Sequence, residues 1–205
     1  MKRVLFATTN QNKVKRMKNF LGKTPFEILS LTELNQEILE PIEVGADGVE
    51  VAKLKAYYYY NVLKDKLPVL TQDDTLNFYQ ISESDSIKIS IKQPVIDAYG
   101  EFNDDNAIKY YTELAKEYGG EVKMSFEYGH GFFDGISLKS NPSSLRGKMV
   151  SVPSKHVEPG YFLTAIVKVN VGNGWKYISE LSDAEYAKAD WNLKKSVESL
   201  LSSLY

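Results

Sequence analysis

Residues 4–13 read VLFATTNQNK, so four apolar residues are followed directly by hydroxyl, amide and ammonium groups. The next apolar residues, Val14, Met17 and Leu21, have the three-to-four spacing of a half-buried helix. We therefore expect a strand near residues 3–7 that leads directly into a helix. A strand followed by a helix in this way is typical of the beginning of an α/β fold.

The junction between this strand and helix carries groups that can bind an anion. The N–H groups and the dipole at the start of a helix favour negative charge. Lys13 lies on the helix face that packs inward, close in sequence to Thr8 and Asn10. These three residues are candidates for binding phosphate. An ordinary helix with Asn10 or Thr9 as its N-cap has the same pattern, so both interpretations stay open.

The rest of the chain alternates between strand and helix patterns. The expected elements are strands near 26–30, 68–72, 87–91 and 163–171, helices near 48–64, 103–118 and 182–204, and a strand pair within 121–150 that turns at 129–131 and includes a loop at 139–144. Crossover helices together with hairpins indicate an α/β fold with a mixed central sheet flanked by helices. No repeat or linker divides residues 1–205, so we expect a single domain, which can have two lobes around a cleft.

Composition excludes several classes of chemistry. The chain has no cysteine, which excludes disulfides, thiolate zinc sites and cysteine nucleophiles, and its two histidines are isolated in the sequence. A net charge of −2 argues against non-specific binding to nucleic acid. The first apolar run, at residues 4–7, is too short for a signal peptide or a membrane span, so we expect a cytoplasmic protein without a membrane partner.

Two aspartates follow the apolar strand at 69–70. Carboxylates at the end of a buried strand often hold a hard cation such as Mg²⁺. If the strand continues, Asp74 shares a face with apolar side chains, whereas Asp73 shares the more polar face with Thr71 and Thr75. This alternation favours Asp73 as the residue in a polar cleft. The alternative is that Asp73 and Asp74 cap a turn.

Lys55 and Glu43 are further candidates. The apolar stripe of the helix near 48–64 places Lys55 on its buried side, where a lysine pairs with a carboxylate or phosphate or extends its ammonium to water. Glu43 lies in an irregular acidic stretch, and an ordinary solvated loop explains it equally well.

These segments together resemble the inosine triphosphate pyrophosphatase (Ham1-like) family. The first motif of that family, T-x-N-x-x-K, is matched by Thr8, Asn10 and Lys13. The second block of the family is similar to Glu43, Gly45, Glu50, Ala52, Lys55 and Ala56, and its acidic block is similar to Gln72, Asp73, Asp74, Thr75 and Leu76. The C-terminal blocks are similar to residues 146–150 and to Glu180, Leu181 and Ser182. The resemblance spans nearly the whole chain in the order of the family.

The chain also departs from the family pattern. A glycine-aromatic-Asp-Pro segment that contributes to base recognition aligns with residues 160–163, which lack the aspartate and proline. A Ser-His-Arg triplet aligns with residues 190–192, where the histidine and arginine are absent, and Gln72 replaces the first acid of the acidic pair. The phosphate-binding motifs are therefore better kept than the base-recognition motifs.

The resemblance implies two lobes around a cleft and hydrolysis of a nucleoside triphosphate, such as inosine or xanthosine triphosphate, to the monophosphate and pyrophosphate. Mg²⁺ would be held by Glu43 and Asp73. Asp73, with Asp74 as the alternative, would activate water. Thr8, Asn10 and Lys13 would bind phosphate, and Lys55 would either bind phosphate as well or orient a carboxylate. Tyr161 and Trp191 would stack on the base. A homodimer is expected because members of the family form dimers.

Two other interpretations stay open. The first is a nucleotide-binding module that has the fold but has lost turnover. The second is a fold kept only for assembly, with the tyrosines at 57–60 as an interface, although four consecutive helical tyrosines are better explained as part core and part rim.

Overall fold

The computed structural model of the chain describes residues 1–22, 24–34, 36–42, 45, 47–79 and 91–205. In chain order its main elements are β1 (Lys2–Phe6), α1 (Gln11–Leu21), β2 (Phe26–Ser30), α2 (Gly48–Val62), β3 (Val69–Phe78), α3 (Gln93–Tyr99), α4 (Asp104–Glu117), β4 (Glu121–Phe133), β5 (Leu138–Val150), α5 (Phe162–Ile166), β6 (Val167–Asn170), β7 (Trp175–Tyr177), α6 (Asp183–Ala189) and α7 (Trp191–Leu201).

Within the described residues, seven strands form one open mixed sheet in the order β2-β1-β3-β4-β5-β6-β7. β1 pairs in parallel with β2 and with β3, whereas β5–β6 and β6–β7 are antiparallel. The parallel part is the product of the crossover helices α1 and α2. In the antiparallel part a short turn joins β6 to β7, whereas residues 151–166, which include α5, connect β5 to β6. The predicted α/β fold with a mixed sheet and flanking helices is confirmed.

The chain divides into two compact units. Unit 1 comprises Met1–Asp74, Tyr128–Ser143 and Asn192–Tyr205, and unit 2 comprises Thr75–Glu127 and Ser144–Trp191. In unit 1 the buried face of α1 consists of Val14, Met17 and Leu21, as its spacing predicts. In unit 2 the largest buried side chain is Tyr111, and its ring stacks on that of Phe162 with centroids 5.8 Å apart.

α2 packs very closely on β4 in unit 1. A Cβ atom at Gly129 would overlap the carbonyl of Gly48, and one at Gly131 would overlap the carbonyl of Ala52. Glycine in a strand interior often marks such a close backbone approach. The prediction of a turn at 129–131 is therefore wrong, since β4 runs straight through these residues and the glycines admit the helix.

Three other predicted elements are corrected. β5 runs through residues 139–144, where we predicted a loop. α5 occupies the first part of the predicted strand at 163–171, because Phe162, Ala165 and Ile166 are buried at helical spacing. The predicted final helix is divided into α6 and α7 at Asp190, whose φ and ψ of −88° and 8° leave the helical region.

Several other expectations are confirmed or fall outside the described residues. The helix predicted near 103–118 is present as α4, and Asn103 is its N-cap. The tyrosine run is part core and part rim, because Tyr59 is 3% exposed and Tyr57 is 50% exposed. Most of the predicted strand at 87–91 lies outside the residues described. None of the helices within the described ranges is long and apolar enough to cross a membrane.

Candidate functional site

The start of α1 is built around a side-chain cap. The Oδ1 atom of Asn10 accepts hydrogen bonds from the N–H groups of Asn12 and Lys13, at 3.0 and 3.3 Å. The N–H of Asn10 in turn donates to Oγ1 of Thr8 at 3.2 Å. The interpretation of Asn10 as an N-cap is confirmed. The amide NH₂ of Asn10 and the hydroxyl proton of Thr8 are the donors that these bonds leave for a phosphate.

Lys13 pairs with the second aspartate of β3. Its Nζ lies 2.9 Å from Oδ2 of Asp74, and each of the two side chains is 27% exposed. Nε2 of Gln72 donates to Oδ1 of the same carboxylate at 2.6 Å. The carboxylate of Asp74 is thus held between an amide and an ammonium group at a partly solvent-accessible position.

Lys55 pairs with the first aspartate. Its Nζ lies 3.1 Å from Oδ1 of Asp73, with the two side chains 18% and 20% exposed. On the same side of β3, the hydroxyl of Thr71 donates to the carbonyl of Ala52 in α2 at 2.6 Å. Lys55 is therefore placed to orient a carboxylate, which is one of the two roles that the resemblance implies for it.

The two lysine–aspartate pairs lie on opposite faces of β3. Successive side chains of a strand point to opposite faces, and Asp73 meets α2 whereas Asp74 meets α1. The alternation predicted from the sequence is present, but the apolar face is not dry at Asp74 because Lys13 and Gln72 surround its carboxylate. The structure does not bring Lys13 and Lys55 onto one face.

The sequence pattern did not indicate a third group of side chains in unit 1. The guanidinium carbon of Arg16 lies 5.1 Å from the ring centroid of Tyr128, and that ring stacks on His130 with centroids 6.2 Å apart. Nε2 of His130 is 2.9 Å from Oγ of Ser143. The mistaken turn at 129–131 concealed this group, because a turn would have placed His130 at the surface.

His130 is fully buried, and its Nδ1 atom has no hydrogen-bond partner. The pKa of His130 is lowered to about 4, and burial is the largest cause; the negative charge of Asp74 raises it, whereas the positive charges of Arg16 and Lys13 lower it. The imidazole is therefore neutral at physiological pH. Two of these charges belong to α1, and the third, that of Asp74, lies on the face of β3 that meets α1.

The predicted base-binding residues belong to unit 2. Tyr161 directly precedes α5, in a segment where the N–H of Gly160 donates to Oδ2 of Asp104 at 2.6 Å. Trp191 is the first residue of α7 and is 51% exposed. Their stacking on a base stays a prediction.

The metal site is only partly within the described residues, because Glu43 lies outside them. Among the residues that are described, no group of three acidic or imidazole side chains is arranged to hold a metal ion. Mg²⁺ commonly binds one or two protein carboxylates together with substrate phosphates. The oxygen donors of Asp73 and Asp74 fit that requirement in their chemistry.

Comparison with known proteins gives one family. The sequence model of the Ham1 family matches residues 4–127, which is more than half of the 205 residues. No curated protein sequence matches this chain.

Three solved structures share the fold. A HAM1 protein from Coxiella burnetii has a TM-score of 0.70 at 18% identity, with 99% of this chain and 100% of that chain covered. The Ham1 protein of Staphylococcus aureus has a TM-score of 0.63 at 17% identity, with 100% of both chains covered. A nucleoside-triphosphatase and dITP/XTP pyrophosphatase from Mycobacterium abscessus has a TM-score of 0.61 at 18% identity, with 97% and 98% covered.

Proposed function

The chain belongs to the Ham1 family, and from that membership we propose that it hydrolyses a nucleoside triphosphate to the nucleoside monophosphate and pyrophosphate. The observation that carries the proposal is the pair of Lys13 and Asp74, 2.9 Å apart beside the capped start of α1. A cation and a carboxylate at one point can bind a phosphate and accept a proton from the attacking water.

Phosphate binding is assigned to the start of α1. Lys13 exchanges part of its contact with Asp74 for phosphate oxygens, and Thr8 and Asn10 donate the hydroxyl and amide protons described above. The positive end of the helix dipole also stabilises a bound triphosphate. The negative charge of the triphosphate in turn offsets the repulsion between that dipole and the lysine in the first turn. Lys55 acts indirectly, since it orients the carboxylate of Asp73.

The two aspartates have different roles in the proposed reaction. Asp74 accepts the proton of the attacking water, because it lies beside the lysine that binds the phosphate. Asp73, with Glu43, is the ligand for Mg²⁺, whose chemical contribution when bound is to neutralise charge on the phosphate oxygens. A general base contributes about 10²- to 10⁴-fold in rate, which is the effect we assign to Asp74.

The base-recognition end is assigned to Tyr161 and Trp191, which offer aromatic faces for stacking. The dITP/XTP pyrophosphatase from Mycobacterium abscessus makes deaminated purine nucleotides the first substrates to test. Because the aspartate, histidine and arginine of the base-recognition motifs are absent from this sequence, we expect a base preference different from that of typical members of the family.

A nucleotide-binding module without turnover is the second candidate. It is favoured by the engagement of both aspartates with lysines, at 2.9 and 3.1 Å, and by Gln72 at the first acidic position. Such a module would keep the phosphate contacts and lack a carboxylate able to accept a proton.

One experiment separates the two candidates. Pyrophosphate release is measured with Mg²⁺ and a panel of inosine, xanthosine, adenosine, guanosine, cytidine and uridine triphosphates, and binding of each is measured in parallel by calorimetry. Release from at least one member of the panel supports the enzyme. Binding of a triphosphate without release from any of them supports the module, and neither binding nor release contradicts both.

The oligomeric state and the compartment are part of the same proposal. We expect a cytoplasmic homodimer, and light scattering coupled to gel filtration gives the mass that checks it. A monomer mass, close to 23.2 kDa, would contradict the dimer without affecting the proposed reaction.

A further inference from the structure

Arg16 is positioned like a ligand-binding residue although it matches no motif. It follows Lys13 by three residues on α1, so the two side chains leave the same side of the helix. The guanidinium carbon lies 5.1 Å from the ring centroid of Tyr128 and 5.5 Å from that of Phe20. Contact with two rings restricts the orientation of the guanidinium group.

The ring that supports Arg16 is itself held firmly. Tyr128 is 5% exposed and stacks on His130, with an angle of 27° between the rings. His130 is fixed in turn by its contact with Ser143. A phosphate-binding group performs best when such supporting contacts lock its position before the ligand arrives.

The hydrogen bonds from Arg16 to Tyr128 are long. Nη1 and Nη2 lie 3.4 and 3.5 Å from the tyrosine hydroxyl. A phosphate can accept two short, charge-assisted bonds from Arg16, because the planar guanidinium matches two phosphate oxygens at once. Lys13, which also faces Asp74, would bind the same phosphate chain as a point charge.

The sequence supplies a second, independent reason. The C-terminal histidine and arginine of the family pattern are replaced at residues 190–192. Arg16 lies on α1 in unit 1 and contacts Tyr128, so this chain has on α1 a cation that the family-like motif does not contain.

We propose that Arg16 is a triphosphate-binding residue of this chain, held flat by Phe20 and Tyr128 and acting beside Lys13. The proposal rests on the proposed function for the identity of the ligand as a triphosphate. It assigns to α1 two cations for the phosphate chain, whereas the family-like motif contains only Lys13. His130 is a positioning residue in this arrangement, since it contacts Tyr128 and not the ligand.

Binding of inorganic tripolyphosphate with Mg²⁺ tests the proposal without requiring turnover. We expect Arg16→Gln to weaken binding about ten- to a hundredfold, which corresponds to one or two lost charge-assisted bonds. Arg16→Lys should recover part of the affinity, because it keeps the charge and loses the planar fork. Lys15→Gln is the matched control, since it removes an equal charge from an exposed position of the same helix and should change the affinity less than about twofold.

Kinetics with a nucleoside triphosphate provide the second readout. A binding role predicts that Arg16→Gln raises KM by a similar factor with a smaller change in kcat, and circular dichroism shows whether the variant is folded. If Arg16→Gln disturbs the fold, Arg16→Lys carries the test, and its affinity must then fall below that of Lys15→Gln.

The outcomes separate this proposal from the proposed function. Equal tripolyphosphate affinity and equal KM in Arg16→Gln, Arg16→Lys and Lys15→Gln overturn the role of Arg16 and leave the hydrolysis intact. A wild-type protein that releases no pyrophosphate from any nucleotide contradicts the hydrolysis, but weaker tripolyphosphate binding by Arg16→Gln still supports the site. A wild-type protein that does not bind tripolyphosphate overturns the role of Arg16.

Discussion

The Nζ atom of Lys13 lies 2.9 Å from Oδ2 of Asp74, so the lysine of the first motif is paired with the second of the two adjacent aspartates. The first, Asp73, contacts Lys55 on the other face of the strand. Because successive side chains of a strand point to opposite faces, the carboxylates of Asp73 and Asp74 are separated from each other. This separation permits the two adjacent aspartates to have different roles.

The roles of the two aspartates are tested by amide substitutions. We expect Asp74→Asn to lower kcat by at least about a hundredfold, because the amide cannot accept the proton of the attacking water. Asp73→Asn should shift the Mg²⁺ concentration needed for half-maximal activity to higher values, since a charged ligand is lost. Asp65→Asn, at an exposed position of unit 1, is the control. Identical metal dependence and kcat in both variants would contradict the division of roles.

The close packing of α2 on β4 is tested at Gly131. Because an added Cβ would overlap the backbone carbonyl of Ala52, we expect Gly131→Ala to lower the free energy of unfolding by about 1–3 kcal/mol or more. Gly22→Ala is the control, since Gly22 has a helical φ of −62°. Urea denaturation followed by circular dichroism measures both. Equal midpoints of the two variants would contradict the close approach.

His130 makes stability depend on pH. Its pKa is lowered to about 4 from an ordinary value of 6.5, chiefly by burial, while the charge of Asp74 raises the pKa and the charges of Arg16 and Lys13 lower it. The native state therefore binds fewer protons than the unfolded state between these values, so the stabilisation is complete above pH 6.5 and is lost as the pH falls towards 4. The expected loss is about 3 kcal/mol.

Unfolding free energies at pH 7 and pH 4.5 check this dependence in the wild type and in His130→Gln. The difference between the two pH values should be smaller in His130→Gln, since glutamine does not titrate. His156→Gln is the matched control because His156 is exposed and is the other of the two histidines. If His130→Gln and His156→Gln follow the same pH dependence, the burial of a neutral His130 is refuted.

Stacking of a base on Trp191 is tested by fluorescence. The chain has two tryptophans, so all tryptophan emission of the Trp175→Phe variant comes from Trp191. We expect a nucleoside triphosphate to quench that emission, whereas tripolyphosphate should not, because only the nucleotide carries a ring that can stack. Equal quenching by both ligands, or by neither, would exclude Trp191 from base recognition.

Local patterns predicted the elements whose ends are marked by capping residues. The helix start at Asn10 and the N-cap at Asn103 both follow from side chains that can bond the first N–H groups of a helix. The errors fall where long-range packing overrides local preference. The local sequence around Gly129 and Gly131 is typical of a turn, but both residues lie in β4, where the absence of a side chain lets α2 approach the strand. The apolar run at 163–171 has a strand-like composition, but its first part has the helical spacing of α5.

The candidate site was predictable to the same extent. Six candidates could be selected from the sequence because their polar groups follow buried strands or lie on inward helix faces. These candidates are Thr8, Asn10, Lys13, Lys55, Asp73 and Asp74. The pairing of each lysine with one aspartate was not predictable, since it depends on which face of the sheet each helix covers. Arg16 and Tyr128 are 112 residues apart, and no local pattern connects them.

The α/β fold, the capped start of α1 and the two acids on β3 can be predicted from local properties, because they depend on periodicity and on side chains that bond their own neighbours. The contacts of Lys13 with Asp74, of Lys55 with Asp73 and of Arg16 with Tyr128 depend instead on long-range packing. A strand sets the alternation of its side chains, but the helices packed on its two faces determine which charge each side chain meets.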